Sequence, residues 1–109
     1  MDIQRIYIER LDLHFLFQDQ RFLWDTEKAS INITKHGVNF ETACEVFFDP
    51  FVLVEDASVE DERRDAAIGL AEDWSLLFVV HMQREGDEIR IISARLAAPH
   101  ERRSYEDND

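Results

Sequence analysis

The chain has 109 residues, with 12 Lys and Arg against 24 Asp and Glu, for a formal net charge of −12; the length suits a single domain, and the acidity speaks against non-specific attachment to nucleic acid. A lone cysteine, Cys44, excludes an internal disulfide and a multi-cysteine metal site. No apolar run approaches the ~18 residues of a membrane-spanning helix, and the N-terminus lacks a signal-peptide cleavage pattern, so a reducing, cytoplasmic setting away from membranes is expected.

Residues 1–21 hold Ile6, Ile8, Leu11, Leu13, Phe15, Leu16 and Phe17, interrupted by Arg10, Asp12 and His14. This pattern fits a strand, an added helix or a poorly ordered extension, and the stretch is set apart as an N-terminal extension to a single domain over residues 22–109. Phe22 to Trp24 reads as a short strand. Asp25 is a good N-cap, with Glu27 in the first turn; Ala29, Ile33 and His36 keep helical spacing, and Gly37 supplies the stop behind Lys35 and His36. Asn39 caps a second helix whose Phe40, Ala43, Cys44 and Phe47 share one face, ended by Asp49-Pro50.

Phe51 to Val54 begins a strand, Glu55 to Glu62 is an acidic loop, and Arg63 to Leu70 is a weaker strand with Gly69 at a bulge or a strand end. Ala71 to Trp74 turns the chain. The unbroken apolar run Leu76 to Val80 predicts a strand covered on both faces. Glu85-Gly86-Asp87 predicts a hairpin turn with Gly86 at positive φ. Strict alternation in the next strand would put Arg90, Ile92, Ala94 and Leu96 on one face, and Ile89, Ile91, Ser93 and Arg95 on the other. Pro99 to Tyr105 is a short helix opened by proline, and Glu106 to Asp109 is an acidic tail. The expected fold is α+β, with a four-stranded antiparallel meander, two N-terminal helices and a short C-terminal one.

No glycine-rich phosphate loop, His-Glu-x-x-His, cysteine pair or nucleophile elbow is present. The histidines, His14, His36, His81 and His100, are scattered, so neither a metal nor another cofactor is expected. Asn32-Ile-Thr34 matches a glycosylation sequon by chance. Cys44 reads as core. Lys35-His36 suits a helix end as well as a site, and His81 suits a hydrogen-bonded core edge as well as acid/base work. Arg90 and Arg95 are harder to dismiss, because an arginine inside an apolar strand needs a carboxylate or an anion. Residues 51–75 carry eight acids and two arginines, whereas residues 76–98 carry three of each. The acidic excess therefore sits outside the arginine-bearing hairpin, as a solvated surface or as a match for a basic partner.

Several segments together resemble the BrnT family of toxins from bacterial type II toxin–antitoxin pairs. They are Phe22-x-Trp24-Asp25-x-x-Lys28, Asn32-x-x-Lys35-His36-Gly37-Val38-x-Phe40-Glu41, Val46-Phe47-x-Asp49-Pro50, Arg64-x-x-x-Ile68-Gly69, Leu77 to His81, and Ile89 to Arg95 followed by Ala97, Glu101, Arg102 and Tyr105. The resemblance implies a RelE-like fold, a metal-independent endoribonuclease that inhibits translation, and neutralisation by a BrnA-type antitoxin in a heterotetramer that reaches operator DNA only through the antitoxin. It directs the residue types above to roles: Arg64, Arg90 and Arg95 for phosphate charge, His81 and then His36 for acid/base work, and Lys35, Arg84 and Tyr105 for RNA binding. Asp65 stands where relatives more often carry an apolar or aromatic residue, and is a carboxylate able to pair with a catalytic arginine and quench it. A catalytically weak module that pairs with the antitoxin and modulates operator binding is the alternative.

Overall fold

Alternating apolar residues build a sheet that carries helices on its faces, seen in a computed structural model that describes residues 11–108. β1 (Asp12–Phe17) and β2 (Gln20–Asp25) form an antiparallel hairpin. α1 (Thr26–His36) begins at Asp25, whose Oδ1 accepts the N–H groups of Glu27 and Lys28, and ends at Gly37 with φ 74°. α2 (Phe40–Glu45), capped by the Asn39 side chain, runs into a 3₁₀ turn over Val46–Phe48. β3 (Leu53–Asp56), β4 (Asp65–Leu70), β5 (Leu76–Gln83) and β6 (Ile89–Leu96) follow, and α3 (Pro99–Asp107) comes last.

The strand order is β1-β2-β6-β5-β4-β3. The four strands from β3 onward form the expected antiparallel meander, but the sheet is six-stranded and mixed, because β2 joins β6 in parallel at Phe22–Ile89 and Leu23–Arg90. The sequence hid β1 because its turn residues, Gln18 and Asp19, both adopt positive φ (51° and 69°) without the glycine that usually marks such a hairpin. Burial explains why the strand forms: Phe15 packs 5.7 Å from the Trp24 ring and Phe17 lies edge-on to Phe48 at 5.3 Å. The hairpin thus spans the expected boundary between residues 21 and 22. Ile6, Ile8 and Arg10 lie outside the described residues.

The main core joins Phe22, Trp24, Phe40, Ala43, Val79, Ile91 and Ala94 between the sheet and the first two helices. Cys44 is buried there, and burial pushes its thiol pKa far up, as expected for a core cysteine. Gly69 marks a close approach rather than a bulge, since a Cβ there would meet the Val46 carbonyl oxygen at 3.0 Å. No helix among the described residues is long and apolar enough to cross a membrane.

The bulge lies in β6. Val80 pairs with Ser93 and His81 with Ile91, so Ile92 is the extra residue. This overturns the expected assignment of faces. Arg90 opposes Met82 and Arg95 opposes Phe78, and Met82 and Phe78, four apart on a regular strand, share a face. Arg90 and Arg95 therefore also share one, away from the core face of Val79 and Ala94.

Past Arg90, β6 has no further strand pairing with β2, and α1 satisfies its backbone there instead. Asn32, only 5% exposed, accepts the Ala94 N–H at 3.2 Å and donates to the carbonyls of Ala94 at 2.8 Å and Val38 at 2.9 Å. This places the sequon asparagine in the core. Asn32→Ala is expected to lower unfolding free energy by roughly 2–4 kcal/mol, since buried groups left unpaired cost about 1–3 kcal/mol each. Urea denaturation checks it, and a loss below about 0.5 kcal/mol, the usual range of surface changes, would contradict the anchoring role.

Candidate functional site

Where the start of β6 lies beside the end of β5, near the first turn of α1, a cleft of about 170 Å³ is lined by Lys28, Arg64, Arg84 and Arg90, together with Asp25, Glu62, Met82, Ile91 and Ile92. Its cations come from four places in the chain: the first turn of α1, the residue before β4, the residue after β5 and the start of β6. Lys28 and Arg84 are exposed and make no ion pair among the described residues. Arg64 is half-buried, its Nε donating to Glu62 at 2.8 Å. Asp65, a carboxylate able to quench a catalytic arginine, opposes His81 across the β4–β5 ladder.

Arg90 is 8% exposed and holds Asp12 of β1 through both terminal nitrogens, at 3.2 and 2.6 Å. Its Nε is buried without a hydrogen-bond partner. Arg95 is placed apart from the cleft lining. It makes a bidentate pair with buried Glu101 at 2.8 Å on each side, and its guanidinium lies 4.3 Å over the Phe78 ring. The hydrogen bonds from Arg95 hold the Glu101 carboxyl below its usual range despite burial, and the same contact raises Arg95. Glu101 also accepts the Ala98 N–H at 2.7 Å, which closes the first turn of α3.

His81 stands on the other face of the sheet from the cleft arginines. Leu77, Val79 and His81 alternate toward the core face, and the imidazole, 6% exposed, lies edge-on to Phe47 at 4.8 Å. Its Nδ1 is 3.2 Å from the Val79 carbonyl. Burial pushes its pKa below the usual imidazole value, with the Val79 contact and nearby Asp65 opposing. His81, named with Arg90 and Arg95 as a catalytic candidate, does not meet them, because the sheet separates them. His36 and Lys35 end α1, where His36 lines a separate hollow with Asn39, Asp73 and Leu96. Tyr105 projects from α3 to donate to Asp49 Oδ2, and its pKa is pushed up to about 12 by burial and by that carboxylate.

Of the expected residues, then, Arg64, Arg84 and Arg90 come together, while Arg95, His81, His36, Lys35 and Tyr105 lie elsewhere. Sequence reasoning gave no role to Lys28, Glu62 or Asp12. The Asp25-x-x-Lys28 spacing was the available signal for Lys28, since an N-cap fixes which way the third helical residue points. Asp12 carried no signal, because the pattern of residues 1–21 fitted a strand no better than a helix or an extension. As an arrangement, four cationic side chains around a small cleft suit a phosphate group, with charge-assisted hydrogen bonds from fork-shaped guanidinium groups.

The family described as ribonuclease toxin, BrnT, of type II toxin-antitoxin system, matches the chain over residues 24–101. Curated proteins give no match. The match contains every cleft residue named above, whereas Asp12 lies before it.

His81 gives a titration test of this geometry. Because its folded-state pKa is depressed, the unfolded chain binds the extra proton first, so stability should fall as pH drops below about 6.5 and level off beneath the folded-state value. His81→Phe should remove that component while keeping the fold. Urea unfolding of both proteins between pH 7.5 and pH 5 would show it, and unchanged pH dependence in the variant would place the imidazole in water rather than against Phe47.

Proposed function

The chain belongs to the BrnT family of ribonuclease toxins of type II toxin–antitoxin systems, and on that premise we propose that it is a metal-independent endoribonuclease whose scissile phosphate occupies the Lys28, Arg64, Arg84 and Arg90 cleft. The observation that carries this reading is the convergence of those four cations from distant parts of an acidic chain. Cleavage through the 2′-hydroxyl needs a base, positive charge for the phosphorane-like transition state, and an acid for the leaving 5′-oxygen. The arginines supply the charge. Glu62, at the cleft wall, takes the 2′-hydroxyl proton, and Lys28 or water returns one to the leaving oxygen. His81 and His36 have no direct part in this scheme, and Arg95 and Tyr105 fasten α3.

The same premise supports a RelE-like fold, a cytoplasmic location, inhibition of translation, and a BrnA-type antitoxin that binds operator DNA and bridges a heterotetramer. A second reading has its own observation: Arg64, Arg90 and Arg95 each hold a carboxylate, Glu62, Asp12 and Glu101. On that reading the chain is a catalytically weak module that pairs with the antitoxin and modulates operator binding.

Purified protein should cleave RNA in EDTA, and its expression without antitoxin should arrest growth. Arg64→Ala and Arg84→Ala should each lower the cleavage rate by about 10²–10³, the scale of losing one donor to transition-state charge. Arg95→Ala should lower stability while the folded fraction keeps its rate within a few-fold. Folded wild-type protein that leaves RNA intact but binds antitoxin would establish the module instead.

A further inference from the structure

At the other end of β4 from the cleft, the turn into β5 holds Trp74 at φ 70° with 80% of its surface exposed. Its N–H donates to the Ala71 carbonyl at 3.0 Å, and the Ala71 N–H to that of Ser75 at 2.9 Å, which fixes the turn. A left-handed position favours glycine, and a bulky side chain there is strained. Burial does not repay that strain, because the indole packs into no core. Folding alone would favour a glycine at this place, so the ring points to a role outside folding.

What lies beside it indicates the role. A groove of about 350 Å³ runs between Trp74, Phe48 and Pro50, and its charged lining is Glu45, Asp49 and Glu72, without a lysine or arginine. Asp49 is occupied by the N–H groups of Phe51 and Leu70 and by the Tyr105 hydroxyl. Glu45 accepts the Glu72 N–H at 3.0 Å. The Glu72 carboxylate is exposed and has no partner among the described residues. An RNA strand would be repelled by this lining. A guanidinium meets both of its requirements here, an indole face for stacking and a carboxylate for paired hydrogen bonds.

We propose that this groove receives an arginine-bearing basic segment of the antitoxin, with the guanidinium stacked on Trp74 and paired to Glu72. The inference rests on the toxin–antitoxin reading above and names the contact surface within it. Charge complementarity selects this occupant: the acidic residues concentrate in residues 51–75, and the groove takes Glu72 and Trp74 from that stretch. Since β4 separates the groove from the cleft by its whole length, from Asp65 to Leu70, the contact anchors the partner without using the cleavage residues.

The test is calorimetric titration of the 109-residue chain with a purified BrnA-type antitoxin, at low and high salt. Trp74→Gly should weaken Kd by about tenfold or more, as for an aromatic anchor at an interface. Its thermal midpoint should equal or exceed that of the wild type, because the left-handed strain is relieved, and RNA cleavage in EDTA should be unchanged. Glu72→Gln should weaken binding several-fold and flatten its salt dependence. Kd within about twofold of wild type for both variants would overturn the proposal. So would loss of RNA cleavage in Trp74→Gly at unchanged antitoxin affinity, which would assign the ring to base stacking. Wild-type protein that binds the antitoxin but leaves RNA intact would refute the ribonuclease reading alone, while the effects of the variants on Kd still decide this one; wild-type protein that cleaves RNA but binds no antitoxin would refute this proposal and leave the ribonuclease reading standing.

Discussion

One extra residue in β6 determines which side chains can work together. Ile92 interrupts the pairing between β5 and β6, and a strand that gains a residue reverses the facing of everything beyond it. Without the bulge, Ala94 would leave the core and its contact with Asn32, and Arg95 would turn toward the helices. With it, Ile91 and Ala94 both fill the core, and Arg90 and Arg95 both lie on the opposite face. The cation–π contact with Phe78, the Glu101 pair that closes α3, and the cleft around Arg90 all depend on that change of phase.

The two arginines then serve different ends. Arg95, with its bidentate pair and ring contact, is committed to holding the C-terminal helix on the sheet. Arg90 is buried more deeply, and a buried charge requires a partner of opposite sign close by. Asp12 fills that need from β1, outside the family-matched segment. In the proposed phosphate cleft Lys28 and Arg84 are exposed and make no ion pair among the described residues, Arg64 is shared with Glu62, and Arg90 is paired with Asp12. Under the proposed function the exposed pair would govern capture, and Arg64 and Arg90 would contribute charge against the carboxylates that they hold. This division reconciles a cationic cleft with a chain of net charge −12, since long-range repulsion of RNA is screened over about 8–10 Å in physiological salt and the cleft acts at contact distance.

The sequence made much of the scaffold readable because local chemistry dictated it. Asp25, Gly37 and Asn39 marked helix ends that the structure reproduces, the apolar run of β5 marked an interior strand, and Gly86 does take positive φ. What escaped reading was set by tertiary contacts. β1 lacked a turn signal, and only the packing of Phe15 and Phe17 makes it a strand. The bulge at Ile92 left no trace in composition, so period-two reasoning put Arg90 and Arg95 on opposite faces. His81 was a reasonable acid/base candidate by residue type, but a strand position two residues from Val79 turned it onto Phe47 instead. Arg64, Arg84 and Arg90 were identifiable singly, and their convergence was not.

The proposed function puts RNA on the Arg90 face of the sheet rather than at the helix-end cations Lys35 and His36. An RNA made uncleavable by 2′-O-methylation, titrated into labelled protein and followed by NMR, tests it most directly. The expected result is a saturable set of shifts at Lys28, Arg64, Arg84 and Arg90, with Lys35, His36 and His81 unmoved. Shifts centred on Lys35 and His36 with an unperturbed cleft would contradict it.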